Sequence, residues 1–333
     1  MKGRTLSIVA LAFLFLLLTI SGGRILPISS EASAQTKIEF PTKPIEMVIP
    51  WAPGGGTDII GRMVAQSLEQ FLPTKIIVVN KPGAGGALGV QEVASMTKPD
   101  GYTLLFAGNS LVAQTYITKG RVDFNQFVLL GVLNQDFHLV GVAKGAPWAT
   151  IDEFVKYAKS NPGKIRMAHG GVGSAPHLSA ALFQKRAEVK FQEIPFAGAN
   201  PINMALMGGH IEAGMLLTGE TAPLVQSGDL RILAIDSENR LKEYPNTPTF
   251  KEKGIDVGIL IWRGVWILKG TPEPVLKIIE EAIGKVGNSQ SFKDMLVKAG
   301  FIPANILGRT KLEETIKKED RISVEALKAI GQL

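Results

Sequence analysis

Ile45-Glu46-Met47-Val48-Ile49-Pro50-Trp51-Ala52-Pro53-Gly54-Gly55-Gly56-Thr57-Asp58 decides the fold of this chain, and Ile76-Ile77-Val78-Val79-Asn80-Lys81-Pro82-Gly83-Ala84-Gly85-Gly86 repeats its logic. In each stretch an apolar run predicts a buried strand, a glycine loop follows, and a helical pattern begins. Such a turn leaves backbone N–H groups free at a helix N-terminus, just beyond the end of a strand, and so makes a seat for an anion. Neither turn carries the Lys-Ser/Thr ending of a P-loop or leads to a clear ribose-binding acid. A carboxylate suits the seat as well as a phosphate does.

Working outward, strands are expected over 45–49, 75–79 and 102–106, with helices over 59–71 and 87–96. Ile60, Met63, Val64 and Leu68 give the first helix an apolar stripe at helical spacing. Alternation of this kind implies a parallel sheet in an α/β fold. A second set of elements starts with a strand over 138–143. A helix capped by Thr150 or Asp152 runs to Lys159, and a strand covers 165–168. Another glycine loop follows at His169-Gly170-Gly171-Val172-Gly173-Ser174, with a helix over 177–186. Further strands are expected over 190–194, 211–217, 230–235 and 265–268, and further helices over 201–207, 271–286, 289–299 and 311–330. Two α/β lobes with facing glycine loops enclose a cleft beyond the carboxyl ends of their strands.

The bulk properties narrow the function classes. Lys2 and Arg4, the apolar run from Leu6 to Ile20 and the small residues Ala32-Ser33-Ala34 predict a signal peptide over 1–34, the apolar run being short for a bilayer span of roughly 20 residues. The remaining chain of roughly 300 residues is long enough for two domains. The chain has no Cys, which excludes a lipid-anchored lipoprotein, disulfides and thiolate metal sites. With 45% hydrophobic and 20% charged residues, the composition is that of a globular protein. The formal charge is +6, but Lys and Arg are scattered with little aromatic interleaving, so nucleic acid is not expected as a partner. Four His with no H-E-x-x-H motif or carboxylate cluster give no metal site, and no cofactor is expected.

Five segments in order resemble the substrate-binding receptors of tripartite tricarboxylate transporters, the Bug family. They are 44–58, 80–86, Pro99-Asp100-Gly101-Tyr102-Thr103-Leu104-Leu105, Gly171-Val172-Gly173-Ser174-Ala175-Pro176-His177, and Ser227-Gly228-Asp229-Leu230-Arg231-Ile232-Leu233-Ala234. Trp51 stands where that family usually has Phe, Lys81 where it usually has Arg, and Leu216-Leu217-Thr218-Gly219-Glu220 departs from a stretch that often carries Asp. The resemblance implies a two-lobed type II periplasmic binding protein, with lobe 1 formed by 37–137 plus 256–333 and lobe 2 by 138–255. It further implies a periplasmic monomer that closes on a small carboxylate and delivers it to a two-subunit membrane permease.

The candidate ligand residues each carry two readings. Gly55 and Gly56 let backbone approach a ligand, or simply turn the chain. Thr57 donates to a carboxylate or caps the helix, and Asp58 serves the helix dipole or meets a ligand ammonium. Trp51 walls the pocket or fills the core. Ala84 and Gly85 offer N–H groups, as do Gly173, Ala197 and Gly198. Asn109 and Ser110 face the ligand or form a turn. Ser174 binds ligand or caps its helix; His177, one turn on, reaches the ligand or is structural. Thr218 and Gly219 complete the set. Two other functions remain open: a secreted α/β hydrolase using Ser174 and His177, although no G-x-S-x-G elbow is present, and a periplasmic sensory binding protein.

Overall fold

A computed structural model describes residues 39–95, 98–329 and 331–333, with the backbone alone at Asn305. The expected signal peptide, the start of lobe 1 at Lys37 and the expected helix ends at Met96 and Ile330 lie outside the described residues.

The chain runs β1 (Ile45–Ile49), α1 (Gly56–Leu68), β2 (Ile76–Asn80), α2 (Ala87–Ala94), β3 (Thr103–Gly108), α3 (Ser110–Ile117) and β4 (Phe127–Ala143). Next come α4 (Ile151–Ser160), β5 (Arg166–His169), α5 (Ala175–Ala187), β6 (Gln192–Pro195), α6 (Ala199–Met207), β7 (Ala213–Leu217), α7 (Thr218–Gln226) and β8 (Leu230–Ile235). The remainder is β9 (Leu260–Leu268), α8 (Glu273–Asn288), α9 (Gln290–Lys298), β10 (Ile302–Ile306) and α10 (Arg309–Ala329).

The strands follow the order β2-β1-β3-β9-β4-β7-β5-β6, with β8 and β10 also paired to β4. β1 is parallel to β2 and β3, as the strand–helix alternation requires. β5 is likewise parallel to β6 and β7. The 17-residue β4 belongs to both halves. It pairs antiparallel with β9 from Phe127 to Phe137, and with β7 from His138 to Gly141. His138 is fully buried at the changeover, where its Nδ1 lies 3.0 Å from the Ile259 carbonyl. The fold is a mixed α/β architecture of two lobes.

Each half has its own core. Ile45, Met47 and Ile49 point into one cluster with Ile60, Val64 and Leu68 of α1 and Ile279 and Ile283 of α8. Trp148, Phe154, Phe183, Phe191 and Phe250 build the other, where Trp148 meets Phe154 edge-on at 5.2 Å. Fully burying one such side chain contributes about 1.5–3 kcal/mol, so these clusters rather than the glycine loops hold the lobes together. α10 touches both halves, with Leu312 in a cluster beside β3 and Ala326 and Leu327 in the Trp148 core.

Several expectations are corrected. β4 begins eleven residues before 138, and β9 begins at Leu260 rather than 265. The polar triplet Asn134-Gln135-Asp136 interrupts the apolar pattern of β4, yet the backbone stays in the ladder because Asn134 and Asp136 find buried polar partners. α3, α7 and β10 were not expected at all. Gly219 and Pro223 inside α7 disguise it, since both residue types disfavour helix interiors.

Candidate functional site

Five helices begin around one cavity. Gly55, Gly56 and Thr57 bring the start of α1, Asn109 and Ser110 that of α3, Ser174 and Ala175 that of α5, Gly198 and Ala199 that of α6, and Leu217 and Glu220 that of α7. The cavity measures about 310 Å³ and lies between the two halves of the sheet. At α1, α3, α6 and α7, the residue preceding the helix offers no side-chain cap, although Glu220 takes the Gly56 N–H of α1 and Asp136 the Gly219 N–H of α7. Their first-turn N–H groups are left to satisfy themselves elsewhere, and each helix adds a partial positive charge of roughly half a unit at its start. The common environment is one that favours a small anion.

Arg263 of β9 forms the polar floor and is only 3% exposed. Its Nε donates to Thr57 Oγ1 at 3.1 Å and its Nη1 to Asn134 Oδ1 at 2.8 Å. Nη1 also lies 3.5 Å from Asp136 Oδ2, and Nη2 donates to Glu220 Oε1 at 3.3 Å. Burial pushes the Glu220 carboxyl above the usual range; Arg263 opposes that shift and Asp136 reinforces it. Asp136 also accepts the Thr218 hydroxyl and the Gly219 N–H, the latter at 3.2 Å.

The expected residues divide between the cavity and its supports. Trp51, Gly55, Gly56, Thr57, Asn109, Ser110, Ser174, Ala197 and Gly198 all line the cavity. Trp51 also packs on two apolar clusters, so it fills the core and walls the pocket at once. Ala84 and Gly85 line an adjoining cavity of about 420 Å³ that shares Trp51, Ala52, Gly170 and Ala197 with the first. Ser174 Oγ accepts the His177 N–H at 3.3 Å and thereby caps α5.

Asp58, Gly173, His177, Thr218 and Gly219 stand behind the cavity wall. Asp58 accepts the Gly54 N–H at 2.9 Å, Arg62 Nε at 3.0 Å and Asn80 Nδ2 at 2.9 Å. Burial works against its charge, but Arg62, Gly54 and Asn80 together hold its carboxyl below the usual range. Gly173 N–H donates to His177 Nδ1 at 3.0 Å, which places the ring proton of neutral His177 on Nε2, facing Glu193 at 3.5 Å. Thr218 and Gly219 hold Asp136.

His169, His177 and Glu193 place potential ligand atoms within 4.8 Å of one another. The His177 tautomer opposes a metal there: Nδ1 already receives a backbone N–H, so Nε2 cannot shed its proton without leaving an anionic imidazole. His169 stacks on His177 at 4.3 Å, and burial followed by that neighbour lowers its pKa to about 4. Nor do Ser174 and His177 form a nucleophile–base pair, since the two His177 nitrogens face Gly173 and Glu193 rather than Ser174 Oγ.

Sequence reasoning missed Arg263, Asn134, Asp136 and Glu220 as a unit, and Asn200 beside them. The signal available was an arginine inside the apolar run Ile261-Trp262-Arg263-Gly264-Val265-Trp266, which is costly unless partners await it. Also unseen was Glu319 of α10, 5% exposed behind Asn109. Asn109 Nδ2 donates to its Oε1 at 2.9 Å, and burial raises the Glu319 pKa to about 7.

Residues 60–327 match the family described as tripartite tricarboxylate transporter family receptor. A Cupriavidus necator protein, named UPF0065 protein in gbd 5'region, is 33% identical over 289 residues, covering 85% of this chain and 88% of its own length. The crystal structure of a TctC solute binding protein from Polaromonas is 36% identical with a TM-score of 0.68, covering 88% of this chain and all of that one. The structure of periplasmic binding protein BugD is 28% identical with a TM-score of 0.80, covering 88% of this chain and 99% of that one.

Proposed function

The chain belongs to the tripartite tricarboxylate transporter family of solute receptors, and from that premise we propose that it binds a small organic carboxylate in the cavity between its lobes and presents it to a membrane permease. The observation that carries this reading is the convergence of five helix N-termini on one cavity of about 310 Å³, four of them with no side-chain cap from the residue that precedes the helix. That volume suits a small acid, and the helix N-termini facing it suit its carboxylate oxygens. Ser174, Thr57 and the backbone of Gly55, Gly56 and Gly198 are the proposed contacts. The proposed lobes are 37–137 plus 256–333 and 138–255. The change of β4 partners between Phe137 and His138 and the His138–Ile259 contact support hinges there. Among the described residues no helix is long and apolar enough to cross a membrane. A periplasmic monomer served by the expected signal peptide completes the proposal.

A thermal-shift screen of refolded protein against carboxylates tests it. A ligand at 100 times its Kd adds about 2.7 kcal/mol, which raises the midpoint by several degrees. A shift with one acid class, without consumption of the acid, supports a receptor. No shift across di- and tricarboxylates, aromatic acids and amino acids overturns the carboxylate reading.

A further inference from the structure

Glu220 is an acid facing a cavity arranged for anions. Its Oε1 accepts from Arg263 Nη2 at 3.3 Å, its side chain is 15% exposed, and it lines the cavity with Thr57 and Ser174. The fixed charges around it are Arg263 from β9 and Asp136 from β4, and Asp136 already answers Arg263 at 3.5 Å. Among the described residues, the remaining faces carry no second cation. α1 contributes Thr57 and the Gly56 N–H, which donates to the Glu220 carboxyl and works against its upward shift, while its Asp58 is turned to Arg62 and Asn80. α6 contributes Asn203, which donates to the Glu220 carbonyl at 3.3 Å. His138 and Tyr244 lie further out, near Arg263 and Asp136 respectively.

With one cation and two acids, an ionised Glu220 leaves the floor with a net negative charge, and a ligand carboxylate would add another beside it. Like charges this close in a dry site do not both remain ionised. The alternative uses the same atoms well. A neutral Glu220 keeps its carbonyl oxygen on Arg263 and offers an O–H to the ligand. The upward shift that burial imposes on Glu220 runs in the direction this requires.

Building on the carboxylate-receptor reading above, we propose that Glu220 binds the ligand carboxylate as a neutral acid, so that the receptor takes up one proton with each carboxylate it captures. Glu220 is then a specificity residue. It admits acids that accept a hydrogen bond at the floor, and it makes capture tighter at lower pH. Affinity falls about tenfold per pH unit once free Glu220 is ionised.

The test is calorimetry at pH 7.5 in two buffers of different ionisation enthalpy, using whichever of succinate, adipate, citrate and benzoate binds the refolded protein. The expected result is uptake of close to one proton by the wild type, and none by Glu220→Gln, which keeps a donor and binds with an affinity independent of pH. Binding without proton uptake overturns this inference and leaves the carboxylate receptor standing. Uptake that persists in Glu220→Gln assigns the proton elsewhere and also overturns it. If none of the acids binds but an amino acid does, through an ammonium and without proton exchange, Glu220 acts as an ionised partner and the inference fails. Absence of all binding overturns the function reading and this inference together.

Discussion

Asn200 Nδ2 donates a hydrogen bond of 3.1 Å to the carbonyl oxygen of Gly54, joining the start of α6 to the glycine loop after β1 across the mouth of the cavity. The two residues are 146 positions apart, and a methyl group on Gly54 would meet the same Asn200 nitrogen at 3.3 Å. Gly54 is itself held by Asp58, so the bond links a fixed loop to a helix N-terminus. Asn200→Ala is expected to weaken ligand binding roughly three- to tenfold, the worth of one such bond. The midpoint of unfolding should hardly change, because Asn200 is exposed. Titration calorimetry beside a melting curve separates the two effects; a large fall in the midpoint with intact affinity contradicts a closing role.

Asp58 tests the other side of that loop. It is 4% exposed and satisfies Gly54, Arg62 and Asn80 at once. Asp58→Ala removes the acceptor of the Gly54 N–H, the Arg62 guanidinium and the Asn80 amide, and is expected to cost about 1–3 kcal/mol of stability. Denaturant unfolding reads this directly. A variant as stable as the wild type that no longer binds would instead place Asp58 at the ligand.

Ser174 combines two duties. Its Oγ caps α5 through the His177 N–H, and the residue lines the cavity. Ser174→Ala is expected to lose about 1 kcal/mol as a missing cap, or about 2–4 °C in a chain of this size. If the hydroxyl also reaches the ligand, affinity falls with it. Ser174→Asp restores the cap and places a charge against the ligand, so recovered stability with abolished binding is the expected pattern.

Much of this was legible in the strands. β1 was read to the residue, and β8 with it, because each is apolar and ends in turn chemistry. Of the two caps expected for α4, Thr150 and Asp152, it is Thr150 that serves, in a reciprocal pair with Glu153. The glycine loops announced the cavity, since Gly at positions such as Gly198, at φ 133°, signals tight backbone. What stayed hidden was the polar floor. Arg263, Asn134, Asp136 and Glu220 come from β9, β4 and α7, and only the pairing of β4 with β9 and β7 brings them together. No local pattern records that register. Asp58 and His177 show the converse: their spacing is right, but neighbours on the far side of the wall engage both side chains.

Glu319 sets a pH dependence of stability. Its folded pKa is about 7 against an ordinary 4.5, because burial disfavours the ionised form. Between those values the native state keeps a proton that the unfolded chain has released, so stability falls as pH rises from about 4.5 to 7 and levels off above. The loss is on the order of 3 kcal/mol. Glu319→Gln keeps the acceptor for Asn109 and removes the charge. Its midpoint should be flatter over this range and above that of the wild type at pH 8. A parallel curve for both proteins would contradict the assignment.

The central claim is that the helix N-termini around the cavity bind a carboxylate as an anion. The most direct measurement is calorimetric titration of the refolded protein with the acid found by screening, followed by its methyl ester. The account predicts that the acid binds at least about 100-fold more tightly than the ester, since removing the charge forfeits several hydrogen bonds to charged oxygen at once. Equal affinity for the two would mean that the cavity recognises the body of the ligand and not its carboxylate, and would contradict the account.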